Sequence, residues 1–169
     1  VLCLTLLPVF STEAEAASLT ESEVKTKLAA VLKKYPSGSK WTGTFDGGKT
    51  CYGFAKLVVY NVFGKSTVKG KTYRSWTYAG VSNSGMKKID SVKTCTTENV
   101  KTLLSKAKPG DILQFNAGKN GHQHSMVVYS VDSTGAKILE CNWTANTVTN
   151  KHWTFKQIAQ RQYENSKIG

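Results

Sequence analysis

Cys51-Tyr-Gly-Phe-Ala-Lys-Leu-Val-Val-Tyr-Asn-Val-Phe63 is followed by Gly64 and preceded by the glycine-punctuated stretch from Ser39 to Thr50. Phe54, Leu57, Val58 and Val62 recur at the spacing of one helical face. That spacing predicts a helix over 51–63, stopped by Gly64, with Cys51 in its first turn. A thiol at a helix N-terminus feels the helix dipole, which favours the anion and lowers the thiol pKa. Gly47, Gly48 and Gly53 leave room around it. Cysteine is also among the most buried residue types, so Cys51 alone reads equally well as a nucleophile or as a core residue. A nucleophile needs a base.

Two segments downstream supply one. His124 opens the apolar strand pattern Ser125-Met-Val-Val-Tyr129, where a side chain on a rigid element can face a cleft. Sixteen residues further on come Glu140 and Asn142 on either side of Cys141. Strand alternation would put the acid and the amide on one face and Cys141 on the other. An acid or amide beside an imidazole holds it in one tautomer and orientation. Cys51, His124, Glu140 and Asn142 are therefore the candidate catalytic residues, and which of the last two bonds His124 is open. Trp41 in the glycine-rich loop, His122, two residues before His124, and Trp143 are candidates for substrate contact. His152, beside Trp153, reads as incidental.

Around this core the chain reads as helices first and an antiparallel sheet afterwards, an α+β class. Thr20-Glu-Ser-Glu23 is a capping box opening a helix with Val24, Leu28, Val31, Leu32 and Tyr35 on one face, stopped at Pro36-Ser-Gly38. Residues 65–92 mix lysines and Arg74 with Tyr73, Trp76 and Tyr78, a basic loop or a substrate-facing flap. Thr97-Glu98-Asn99 caps a short helix through Val100, Leu103 and Leu104. Lys108-Pro-Gly-Asp111 turns into a strand at Ile112–Phe115. The strands around His124–Val131 and Lys137–Asn142 are joined at Asp132-Ser-Thr-Gly135 as a hairpin. Trp153 to Gln162 reads as strand, then helix.

The chain has 169 residues, enough for one domain with a real core. Val1–Phe10 is apolar but too short to span a bilayer, and Ala14-Glu-Ala16 offers the small residues of a signal-peptidase site. Residues 1–16 are expected to be the remnant of a secretory signal, and residues 17–169 a single catalytic domain of an exported protein. Cys3 would leave with the signal. Of Cys51, Cys95 and Cys141 at least one is then a free thiol, and Cys95 and Cys141 are either a disulfide or two buried thiols.

Lysine and arginine number 23 against 11 acids, for a formal net charge of +12. That charge attracts polyanions. For an exported bacterial protein the nearest is the cell wall with its acidic polymers. Twenty-one of the 23 bases are lysine, which suits diffuse attraction better than base readout, and no basic helix or aromatic RNA motif is present. Nucleic acid is not expected as a partner. Neither is stable membrane insertion after signal cleavage, and a monomer is expected. No C-x-x-C or H-E-x-x-H spacing occurs, so no metal and no cofactor is expected, and no G-x-S-x-G elbow points to a serine hydrolase.

Cys51-Tyr-Gly-Phe-Ala55, Pro109-Gly-Asp-Ile112, His124 at the head of an apolar strand and Glu140-x-Asn142-Trp143 together resemble a CHAP domain. CHAP domains are cysteine- and histidine-dependent amidohydrolases and peptidases related to the NlpC-type cell-wall peptidases. The resemblance spans roughly Trp41 to Trp143. It implies a papain-like fold, with the cysteine helix packed on a small antiparallel sheet. It also implies cleavage of amide bonds in peptidoglycan, with Cys51 as nucleophile, His124 as base and Glu140 and Asn142 as its polar partners. Papain-like enzymes carry a glutamine shortly before the cysteine, and this chain has none before Gln114. The oxyanion hole is then expected from backbone N–H groups, that of Cys51 among them, with Thr50 or another nearby polar group as the second donor. Two alternatives differ in substrate or in kind: a cysteine protease or amidase acting on an exported protein or peptide, and a non-catalytic basic wall-binding module.

Overall fold

The computed structural model describes residues 19–43, 45, 48–63, 89–115, 124–142 and 145–167, with side chains as far as Arg161. The signal-like segment, most of the 65–92 stretch, His122 and Trp143 lie outside the described residues. Among the described residues four helices and four strands follow in the order α1 (Glu21–Lys34), α2 (Cys51–Phe63), α3 (Thr97–Leu104), β1 (Ile112–Phe115), β2 (His124–Val131), β3 (Gly135–Cys141), β4 (Val148–Thr154) and α4 (Phe155–Lys167). The strands form an antiparallel meander in sequence order, so the molecule is an α+β protein.

Local chemistry explains the boundaries. Thr20 and Glu23 close the expected capping box on α1. The Thr50 hydroxyl accepts from Gly53 N–H at 2.9 Å, the geometry of an N-cap, and starts α2 at Cys51. The cap of α3 is Thr96, one residue earlier than the sequence pattern indicates, because its hydroxyl accepts from Asn99 N–H. Strand β4 begins at Val148 rather than near Trp153, pairing along the whole of β3 from Cys141↔Val148 to Gly135↔Thr154. Thr154 and Gln157 then cap α4 reciprocally: Thr154 N–H donates to Gln157 Oε1 at 2.9 Å and Gln157 N–H donates to Thr154 Oγ1 at 3.2 Å.

Strand alternation gives the sheet two buried faces. Val127, Leu139 and Cys141 join Val24, Leu28, Phe54 and Val58 of α1 and α2 on one side. Met126, Val128 and Ile138 join Val100 and Leu104 of α3 and Ile158 of α4 on the other. Helix α2 is buried along nearly its whole length, from Cys51 to Val59, which holds its N-terminus rigidly against the sheet. Gly110, in the turn before β1, has φ +90°, and a Cβ there would lie 2.8 Å from the Phe63 ring. Its N–H donates to Val128 O at 2.8 Å, so this turn locks the end of α2 to β2.

Trp41 has a structural role in place of the expected substrate contact. It is 2 % exposed, stacks edge-on against Tyr35 and Phe54, and its indole N–H donates to Gly48 O at 2.9 Å. A large apolar ring beside an apolar helix gains more from the core than from solvent.

Candidate active site

His124, the first residue of β2, stands at the strand's end beside the start of α2. Its imidazole hydrogen-bonds the Cys51 side chain on one side and Glu140 on the other. The second contact is short, with Nε2 2.7 Å from Glu140 Oε2. A carboxylate only accepts, so Nε2 carries the proton there, and Nδ1 is the nitrogen left to exchange a proton with the thiol. The helix start and the strand end, 73 positions apart in sequence, are thus joined through one ring.

All three side chains are shielded from solvent: Cys51 is 8 % exposed, His124 5 % and Glu140 1 %. Burial works against charge on His124. The hydrogen bonds from Cys51 and Glu140, with their Coulomb attraction, outweigh it and raise the imidazole pKa above 6.5. Burial likewise pushes Glu140 up, yet the hydrogen bonds of His124 and Arg161 hold its carboxyl below the ordinary 4.5. The two directions agree: each group favours the charged form of the other.

Glu140, and not Asn142, hydrogen-bonds His124. Strand β3 ends at Cys141, and Asn142 turns the chain with φ +66°. Its amide oxygen accepts from Asn146 N–H at 3.2 Å. The strand alternation that would align residues 140 and 142 has ended there, so Asn142 shapes the turn into β4. Of the two open readings of the remaining cysteines the unbridged one holds, since Cys95 and Cys141 form no disulfide. Cys141 faces the α2 side of the sheet in the apolar core, and burial pushes its thiol up to about 12.

The sequence reading missed Arg161. It lies on α4, 4 % exposed, and Nη2 donates to Glu140 Oε1 at 3.0 Å and to Oε2 at 2.8 Å. Its guanidinium also lies over Trp153, 4.3 Å from the ring centroid. The available signal was a cation three residues after Ile158 on the helix face that packs into the core. Charge on an apolar face calls for a buried partner.

Among the described residues no group of three His, Cys, Asp or Glu side chains could hold a metal ion. No helix among them is long and apolar enough to cross a membrane. A groove of about 350 Å³ lined by Lys27, Lys34, Tyr35 and Asn61 lies between α1 and the far end of α2 and shares no residue with this site.

Thiol, imidazole and carboxylate thus stand in one hydrogen-bonded line. Residues 33–167 match the family described as "Putative amidase domain", and the chain belongs to that family of amide hydrolases. No curated protein and no solved structure matches it.

Proposed function

We propose that this amidase is an exported cysteine hydrolase cleaving amide bonds of bacterial cell-wall peptidoglycan, either within the stem peptide or between muramic acid and L-alanine. The observation that carries the reading is His124 held between the Cys51 thiol and the Glu140 carboxylate in a water-poor setting. The helix-start cysteine packed on an antiparallel sheet supports kinship with the CHAP and NlpC-type peptidases and a papain-like ancestry. The basic surface and signal-like leader favour the wall, with its anionic polymers, as the place of action.

In this mechanism His124 Nδ1 takes the thiol proton and the Cys51 sulfur attacks the amide carbonyl carbon. Backbone N–H groups at the start of α2, that of Cys51 first, hold the oxyanion. The imidazolium then passes its proton to the leaving amine as the C–N bond breaks, leaving a thioester. Water, deprotonated by the same nitrogen, attacks the thioester, and the returning proton restores the thiol. Glu140 keeps Nε2 protonated throughout, so Nδ1 performs every transfer.

The test is digestion of purified peptidoglycan by the protein and by Cys51→Ala, with mass spectrometry of the released fragments. Fragments that appear only with the intact thiol are expected, and their masses name the bond. Equal release by both proteins would exclude Cys51 as nucleophile. No release from several wall chemotypes would exclude peptidoglycan as substrate.

A further inference from the structure

We propose that Arg161 is a positioning residue that fixes the tautomer of His124 by occupying both oxygens of Glu140. The inference rests on the proposed roles of Cys51 and His124 and extends the site by one buried side chain from another element.

Glu140 has a demanding position. His124 Nε2 approaches Oε2 at 2.7 Å, and the Thr149 hydroxyl donates weakly to Oε1 at 3.4 Å. Neither carries a permanent charge. A carboxyl this deeply buried gains by taking up a proton, and a protonated Glu140 would donate to Nε2. The imidazole would then carry its proton on Nδ1, facing the thiol with a donor where a base is required. A forked donation from a guanidinium, which stays protonated at any relevant pH, prevents this by making both carboxylate oxygens acceptors.

The guanidinium is itself held in place. Nη1 lies 3.8 Å from Met126 Sδ, and the Trp153 ring covers one face. Met126 shares the sheet face of His124, two residues along β2, so the arginine, the carboxylate and the imidazole are bounded by the same strands. The reciprocal Thr154–Gln157 cap fixes the start of α4 and so the height at which Arg161 meets β3.

The experiment is ¹⁵N NMR of the histidine ring at alkaline pH in the Cys51→Ala background, where no thiol competes for Nδ1. With Arg161 present, the neutral His124 ring is expected as the Nε2–H tautomer. Arg161→Met is expected to bring up the Nδ1–H form, with the dispersion of the amide spectrum reporting that the protein is folded. If that variant does not fold, Arg161→Gln, which can still hydrogen-bond Glu140 but carries no charge, reads the same shift. A folded uncharged variant that keeps the Nε2–H tautomer would overturn the proposal and leave Arg161 a packing residue. With the thiol intact, Arg161→Met should also slow alkylation of Cys51 at neutral pH by about 10- to 100-fold. A wild-type thiol whose alkylation is indifferent to His124→Ala would count against the nucleophile reading, and the tautomer measurement would still decide the role of Arg161.

Discussion

Among the described residues two histidine–carboxylate pairs have nearly the same length and opposite settings. His124 Nε2 is 2.7 Å from Glu140 Oε2, with side chains 6 % and 1 % exposed; His152 Nε2 is 2.9 Å from Asp132 Oδ2, with side chains 40 % and 54 % exposed. Distance therefore does not separate the two pairs. In the exposed pair water screens the charges and competes for every hydrogen bond, so the contact directs neither side chain strongly. In the buried pair each group depends on the other and on Arg161, because an unpaired charge there is costly. Burial is the difference that lets a histidine and a carboxylate fix each other's orientation.

The largest expected difference between the pairs is in turnover. His124→Ala removes the ring that hydrogen-bonds the thiol and should lower amide hydrolysis by at least about a thousandfold. His152→Ala should leave the rate within about twofold, as expected of a surface site outside the chemistry. Steady-state assays of the two variants on released wall peptides make the comparison directly. Comparable losses from both would mean that the distinction by burial is wrong.

How much of this was legible in the sequence follows from which interactions are local. The face of α2, its start at Cys51, the capping box of α1 and the hairpin at Asp132–Gly135 all depend on neighbours a few residues apart, and the pattern of residue types shows them. The contact of Cys51 with His124 is legible only through order and residue type, and that of His124 with Glu140 through strand alternation. Asn142 was misplaced because alternation says nothing about where a strand stops, and a left-handed residue at its end re-aimed the side chain. Trp41 looked like a loop aromatic because the glycines around it conceal that α1 and α2 close over the ring. Arg161 was invisible for another reason. Its partner is 21 positions away on a different element, and only the packing of α4 on the sheet brings them together.

A middle-sized difference should appear in the pH dependence of stability. The raised pKa of His124 means that its contribution is fully present below 6.5 and is lost as pH rises through the higher folded value. The lowered pKa of Glu140 means that its contribution is present above 4.5 and is lost as pH falls through the lower folded value. The buried cluster therefore stabilises the fold most between these two reference values, and each unit of difference is worth about 1.4 kcal/mol. Because Cys51 and His124 exchange one proton, the alkaline limb belongs to the pair. Urea midpoints measured across pH should decline above 6.5 in the wild type, and the decline should flatten in His124→Ala but persist in His152→Ala. Parallel curves for all three proteins would show that the buried ring is not linked to folding.

The smallest effect sharpens the comparison most, because it asks what holds each carboxylate in its charged form. Asp132 is held at about 2, and the leading cause is the Thr134 hydroxyl, followed by the Thr134 N–H; His152 comes after these and Gly135 N–H. The geometry agrees: Asp132 Oδ1 accepts from the Thr134 hydroxyl and N–H, both at 2.7 Å, and from Gly135 N–H at 3.0 Å, while His152 meets the other oxygen. This carboxylate is ionised by its own turn, and the histidine is a bystander. Glu140 has no turn to support it and relies on His124 and Arg161. Carboxyl ¹³C NMR should therefore show Asp132 titrating at a higher pH in Thr134→Val, closer to the ordinary 3.8, and moving less in His152→Ala. A larger shift in His152→Ala would make the surface pair a true charge pair and remove the contrast with His124 and Glu140.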